Sequence, residues 1–354
     1  MQIHELGEFG LIRHLTETIK PTQASTIQGV GDDCAIISGS DGKDTLITTD
    51  MLLEGIHFDL TYVPLKHLGY KSVMVNLSDV YAMGGTPRQM TVSLGISKRF
   101  TVEDIDDLYD GIRLACESHG VDIVGGDTCA SLTGLTISIT CIGDVNHGEA
   151  ILRSGAKDTD IICVSGDLGA AYMGLRLLAR EKAVYEEQYK EARNNPNDPD
   201  PEAANPDFAG REYLLERQLK PEARKDIIER LKDAGVRPTS MMDISDGLSS
   251  ELIHICKQSA CGCRIYEERI PIDYQTAIAA EEFDMSPVTC ALNGGEDYEL
   301  LFTVPLADHE NVEGLEDITM IGYITKQEYG QRLITNDGQE FDLKAQGWQA
   351  LTEQ

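Results

Sequence analysis

The chain has 354 residues, 41% of them hydrophobic, enough for two domains that each bury a core. Asp and Glu outnumber Lys and Arg by 60 to 30, and the resulting net charge of −30 argues against nucleic-acid and acidic-membrane partners. No apolar run reaches the ~18 residues a membrane span needs, and the start, Met1-Gln2-Ile3-His4-Glu5-Leu6, lacks the basic and apolar regions of a secretory signal. Nine cysteines without paired metal-site spacing (Cys261 and Cys263 are the nearest pair) read as the reduced thiols of a cytoplasmic protein.

In chain order, Gly7 to Thr18 reads as a helix, with Phe9, Ile12 and Leu15 at helical spacing. Gly29-Val30-Gly31-Asp32-Asp33 then opens a strand, Cys34-Ala35-Ile36-Ile37, on which Asp32 and Asp33 should face opposite ways. One of the two can then aim into a cleft while the other bonds backbone, and Gly-Asp-Asp is also ordinary turn chemistry, with a turn cap as the structural alternative for Asp32. A second strand, Thr45 to Asp50, also ends on an acid, and open α/β sheets bind ligands at such ends. A helix from Pro64 to about Met83 puts Asn76 and Asp79 on one face, suggesting a shared polar contact. Met90 to Ile96 is a strand. Thr101 to His119 is an amphipathic helix with Thr101 as N-cap and Asp104 three residues on. Strands follow at Val121 to Thr128, ending on Gly125-Gly126-Asp127-Thr128, and at Leu135 to Val145.

A domain boundary is expected near Gly148, dividing the chain into 1–148 and 149–354. Beyond it, Asp160 to Ser165 is a strand, and the Gly-rich turn Gly166-Asp167-Leu168-Gly169 leads into a helix through Ala183. Residues 186–210, charged and rich in Asn and Pro, read as a surface insertion without a catalytic role. A helix is expected from Pro221 to Ala234. Met241-Met242-Asp243-Ile244-Ser245-Asp246-Gly247-Leu248 repeats the pattern of acids at a strand-to-helix junction. Asn293-Gly294-Gly295-Glu296-Asp297-Tyr298-Glu299 sets another glycine pair before acids, with Glu296 facing a cleft and Asp297 pairing locally. Trp348 is the only tryptophan.

One such acidic turn is ordinary chemistry, but Asp33, Asp50, Asp79, Asp127 and Asp243 recur across both halves. Two carboxylates ~4 Å apart repel by roughly 4 kcal/mol at an effective dielectric of about 20. A cluster of them calls for bound metal or protons, and Mg²⁺ is the cation that bridges carboxylates to phosphates. No G-x-x-x-x-G-K-[ST] and no H-R-D motif is present, so nucleotide chemistry here uses another architecture.

These motifs, with Gly7-Glu8-Phe9, Thr48-Thr49-Asp50, His57-Phe58, Ala82-Met83-Gly84 and Arg153-Ser154-Gly155-Ala156, resemble the thiamine-monophosphate kinase family over most of the chain. That family belongs to the ATP-dependent superfamily of aminoimidazole ribonucleotide synthetase. The resemblance implies an α/β (α+β type), two-domain fold. Its N-terminal sheet would pair with a second subunit in a homodimer, and a larger C-terminal α/β domain would lie behind. It implies phosphorylation of thiamine monophosphate by ATP to thiamine diphosphate. Asp33, Thr48, Thr49, Asp50, Asp79, Asp127, Asp243 and Asp246 would bind Mg²⁺. Tyr109, Gly126, Asp127, Arg153 and Ser245 would contact ATP, and His57, Glu296 and Trp348 the thiamine substrate. The insertion at 186–210 is longer than the family's usual connection, and the tail Gly347-Trp348-Gln349-Ala350-Leu351 departs from the family's common His-Phe. A sister enzyme with another acceptor and a non-catalytic metal- or nucleotide-binding dimer are the alternatives. A selenophosphate synthetase calls for a reactive cysteine nearer the N-terminus than Cys34, and a hydrogenase-maturation relative for a terminal cysteine where this chain has Gln354. A non-catalytic dimer predicts lost aspartates, whereas every motif aspartate is present.

Overall fold

The computed structural model describes residues 3–193 and 208–346. A first helix, α1 (Ile3–Thr16), breaks at Gly7 and leads to three strands, β1 (Thr26–Gln28), β2 (Ala35–Ser38) and β3 (Lys43–Leu53). Next come α2 (Leu65–Ala82), β4 (Thr86–Ile96), α3 (Val102–His119), β5 (Asp122–Ala130) and β6 (Leu135–Asn146). The six strands form one sheet in the order β1-β2-β3-β6-β4-β5. Alternation along β3 and β6 buries every second residue against α2, and α3 packs on α2. The two helices meet at paired glycines: a Cβ on Gly69 would lie 2.0 Å from Leu108 O, and one on Gly111 1.9 Å from Lys66 O. Only hydrogen side chains permit that backbone approach.

The rest of the chain builds a second sheet. β7 (Ile161–Ser165) precedes α4 (Ala170–Arg193), α5 (Glu212–Leu219) and α6 (Lys225–Asp233). Then follow β8 (Ser240–Asp243), α7 (Leu248–Gln258), β9 (Cys261–Tyr266), α8 (Tyr274–Glu282), α9 (Pro287–Asn293) and β10 (Leu300–Val304). A short α10 (His309–Val312) and the strands β11 (Ile318–Lys326), β12 (Gln331–Ile334) and β13 (Glu340–Asp342) complete it. The strand order is β13-β12-β9-β11-β7-β10-β8, antiparallel except where β12 meets β9. Both faces are covered. Ile162 and Val164 of β7 pack with Leu248, Leu252 and Ile255 of α7, while Ile161 and Cys163 pack with Ile227 and Leu231 of α6. Ala82, at the end of α2, joins this last cluster, so the first half's central helix is packed into the second half.

The architecture is the mixed α/β one expected, with local differences. Residues 30–34 are bends before β2, so the alternation expected of Asp32 and Asp33 does not apply. Both acids instead turn toward Arg153. Asp50 and Asp127 lie inside strands rather than at their ends, because the ladder with β6 carries β3 on to Leu53 and pairing with β4 carries β5 on to Ala130. The helix expected from Pro221 starts at Lys225. Its leading residues are held out of the helix by Glu222 on the Tyr70 hydroxyl and Arg224 on Glu299. The helix read as ending at Ala183 runs to Arg193, into the stretch read as an insertion, whose residues 194–207 lie outside the described ones. All nine cysteines are free and all but Cys129 are buried. Among the described residues no helix is long and apolar enough to cross a membrane.

Candidate active site

Asp33, from the bend before β2, Asp79 on α2 and Asp243 at the end of β8 each place a carboxylate oxygen within 4.8 Å of the others. Alternation along β3 turns Thr48 and Asp50 toward the same side, facing α2, and turns Thr49 away. Thr48 donates its hydroxyl to Asp79, whereas the Thr49 hydroxyl donates to Ile139 O at 3.0 Å on the opposite face. The Thr49 side chain is therefore not part of the cluster. Ser78, beside Asp79 on α2, donates to Asp243 Oδ2 at 2.7 Å and so ties the first half to the second. Arg153, in the connection between β6 and β7, donates Nε to Asp33 Oδ1 at 2.9 Å and its backbone N–H to Asp32. Asp32 also accepts from the Asp33 N–H, as a turn cap does.

One guanidinium does not neutralise four acids. Burial first, then the charge of Asp243, pushes Asp33 up to about 7 despite Arg153, and Asp50 up to about 6. Burial, then Asp50, Asp243 and Asp33, holds Asp79 well above the carboxylate range. Asp243 is raised by burial, opposed by the Ser78 hydroxyl and Arg153. Asp33 Oδ2 and Asp50 Oδ2 are buried without a hydrogen-bond partner. Orphaned anionic oxygens in a crowded acidic cluster are the donor set a hard divalent cation prefers, so the residues fit Mg²⁺.

The turn after β8 carries Ser245, exposed, and Asp246, half-buried, whose backbone N–H donates to the buried Glu251 at 2.8 Å. Against it lies the loop 294–298. The Glu296 N–H donates to Ser245 O at 2.7 Å and the Tyr298 N–H to Ile244 O at 2.9 Å. The loop reaches this fit through left-handed residues, with φ of 72° at Gly295, 58° at Glu296 and 51° at Tyr298. A Cβ on Gly295 would lie 2.5 Å from Ser245 O. Non-glycine residues at such φ cost free energy and collect at functional sites. Asp297, buried, accepts from the Gly169 N–H at 2.9 Å, so its partner lies 128 residues away and is not the local one expected. Glu296 pairs with Lys71 Nζ at 3.0 Å and accepts from Gln218 Nε2 at 2.9 Å. Lys71 and Gln218 line a cavity with His57, whose Nδ1 accepts from the Leu53 N–H at 3.0 Å.

Other expected site residues lie apart. Asp127 and Gly126 are on β5, an edge strand exposed along its whole length, where Asp127 Oδ1 accepts from the Thr128 N–H at 2.9 Å. Tyr109 packs from α3 onto the first core. Asn76 donates its amide to Ser72 O at 3.1 Å instead of sharing a contact with Asp79. Trp348 lies outside the described residues. Sequence reasoning passed over Ser78, Lys71, Gln218 and Glu251. For Lys71 the signal was there, a lysine amid the apolar residues Leu68, Val73, Met74 and Leu77 of α2, two turns before Ser78.

Comparison with known proteins places the chain in a family. The family described as AIR synthase related protein, N-terminal domain, matches residues 31–145. Thiamine-monophosphate kinase from Aquifex aeolicus (strain VF5) is 34% identical over 98% of this chain and 99% of its own. That from Bacillus subtilis (strain 168) is 32% identical over 97% and 99%. The solved structure of AaThiL complexed with AMPPCP and TMP superposes with a TM-score of 0.80 at 32% identity, covering 99% of this chain and 98% of its own. On identity, coverage and fold, the chain belongs to the thiamine-monophosphate kinase family.

Proposed function

We propose that this chain transfers the γ-phosphoryl group of ATP to the phosphate of thiamine monophosphate, releasing thiamine diphosphate and ADP. The observation that carries the reading is the convergence of Asp33, Asp50, Asp79 and Asp243 beside Arg153. It occurs in a chain that aligns end to end with kinases of that name. An acceptor oxygen bonds to the γ-phosphorus as the bond to the leaving β-phosphate oxygen breaks, and that electron pair departs on ADP. The acceptor is already an anionic oxygen near neutral pH, so the reaction needs no general base and no residue is assigned one. Positioning and charge neutralisation supply the acceleration.

Asp33, Thr48, Asp50, Asp79 and Asp243 would hold Mg²⁺, and the family implies Asp127 and Asp246 as further ligands; Thr49, implied with them, turns its hydroxyl to the opposite face of β3 and would take no part through its side chain. When bound, magnesium relieves the repulsion between two polyanions. Arg153 would serve as cationic clamp on the nucleotide phosphates, with Tyr109, Gly126, Asp127 and Ser245 as further ATP contacts. His57, Glu296 and Trp348 would hold the thiamine moiety. The reading includes a division into domains near Gly148, a cytoplasmic location, and a homodimer joined through the β5 edge. That edge is supported as an interface by its unpaired backbone and its exposed Ile123 and Val124.

The test is product analysis of purified protein with ATP, Mg²⁺ and thiamine monophosphate, with free thiamine as a parallel acceptor. Equal amounts of ADP and thiamine diphosphate, from the monophosphate alone, are expected. Magnesium-dependent ATP binding without diphosphate would point to a sister enzyme with another acceptor.

A further inference from the structure

The cation facing Glu296 belongs to the first half of the chain and has no part in the reading above. Lys71 is 4% exposed, and its ammonium also donates to Gln218 O at 3.1 Å. Each oxygen of Glu296 therefore has a donor: Lys71 on Oε1 and Gln218 on Oε2. The burial is one-sided, because the Lys71 side chain is 5% exposed and that of Glu296 28%. Lys71 holds the carboxylate from behind, and the open side of Glu296 faces outward. The Glu296 backbone is fixed independently by its left-handed φ and its bond to Ser245 O.

We propose that Lys71 is a positioning residue for the substrate carboxylate: it orients Glu296 so that the open face meets the cationic ring of the acceptor. The inference rests on the assignment of Glu296 to substrate binding made above. Lys71 and Ser78 lie seven residues apart on α2, two helical turns or about 10 Å along one face. One helix thus supports the carboxylate that receives the ring and, through Ser78 and Asp79, the acids at the phosphate end. The cavity beside Lys71 is lined also by His57 and by Gln218, the second donor to that carboxylate.

The test is steady-state kinetics of Lys71→Met, Glu296→Gln and the double variant, with melting curves for each. Lys71→Met is expected to raise KM for thiamine monophosphate about tenfold while kcat and KM for ATP stay within about twofold. In the Glu296→Gln background the same change should add less than about twofold, the non-additivity of residues acting as one unit. Gln218→Leu, which removes the donor on the other oxygen, should raise the same KM less, and it keeps the question open to test if Lys71→Met does not fold. An unchanged KM in the folded single variants, or effects that simply multiply in the double, would overturn the role of Lys71 and leave the kinase reading intact. A wild-type protein with no turnover of thiamine monophosphate would overturn the kinase reading, and this inference with it.

Discussion

Asp243→Asn should stabilise the metal-free protein. The charge of Asp243 acts on each of the other three acids and raises Asp33, Asp50 and Asp79. At the 4.8 Å limit of the cluster, one ionised pair repels by about 3.5 kcal/mol at an effective dielectric of about 20. Partial protonation of Asp33 and Asp50 near neutral pH reduces the relief, and Arg153 loses one of its anionic neighbours. A net gain of about 1–3 kcal/mol at pH 8 remains, or about 2–4 °C in melting temperature per kcal/mol for domains of this size. Asn keeps the shape and can still accept from Ser78 through its Oδ1, so packing should not confound the result. Melting curves in EDTA and in saturating Mg²⁺ would read both parts. Wild type should gain about 2.7 kcal/mol at a metal concentration 100 times Kd, and the variant distinctly less. A variant less stable than wild type in EDTA, or equally stabilised by Mg²⁺, would refute the account of these acids as an uncompensated cation site.

The same cluster fixes the sign of a pH dependence. Asp33 moves from 3.8 to about 7 and Asp50 from 3.8 to about 6, so between those limits the folded chain holds protons the unfolded chain has released. Stability in EDTA should therefore fall as pH rises from about 4 through about 7, less steeply in Asp243→Asn, and urea titrations with a flat or rising wild-type profile would contradict it. Gly111→Ala places a Cβ 1.9 Å from Lys66 O on α2 and should cost about 3 kcal/mol or more in urea unfolding, since backbone must move on both helices. A loss under about 1 kcal/mol would mean the crossing is looser than described. Val124, 58% exposed on the β5 edge, should carry the dimer. Light scattering should find two copies in wild type and one in Val124→Lys, and a monomeric wild type would remove the proposal.

Punctuation made some elements legible, though α8 and α9, capped by Asp273 and Ser286, went unread. α3 could be read almost to the residue because Thr101 and Asp104 form a reciprocal cap and Gly120 closes the helix at φ 67°. Strand ends have no such signal. Asp50 looked terminal because an acid follows an apolar run, yet hydrogen bonding to β6 extends β3 past it. The short α5 went unread because nothing caps it: Arg211, at its N-cap, makes no side-chain bond there. The acids Asp33, Asp79 and Asp243 stood out by recurrence. Ser78, the donor to Asp243, and Lys71 and Gln218, the donors to Glu296, come from helices whose faces only the tertiary fold selects. The Lys71–Glu296 pair joins residues from opposite halves of the chain, and no local pattern encodes that meeting.

What unites the site is the helix α2. Thirteen of its eighteen residues are buried, and Val73, Leu77 and Val80 are those of a core element. A helix optimised only for packing would not carry Lys71, Ser78 and Asp79 on such a scaffold, since each buried polar group must find a partner or lower stability. Here each has one in a different segment: Glu296 for Lys71, Asp243 for Ser78 and Thr48 for Asp79. Two of the residues that violate the apolar pattern, Lys71 and Ser78, thus fasten the two halves together, and Asp79 adds its acid to the cluster. The remaining mismatch, four carboxylates against one guanidinium, is left unrelieved by the chain itself. Local disagreement of this kind, concentrated on one rigid helix, is what a site built to be completed by cations and phosphates requires.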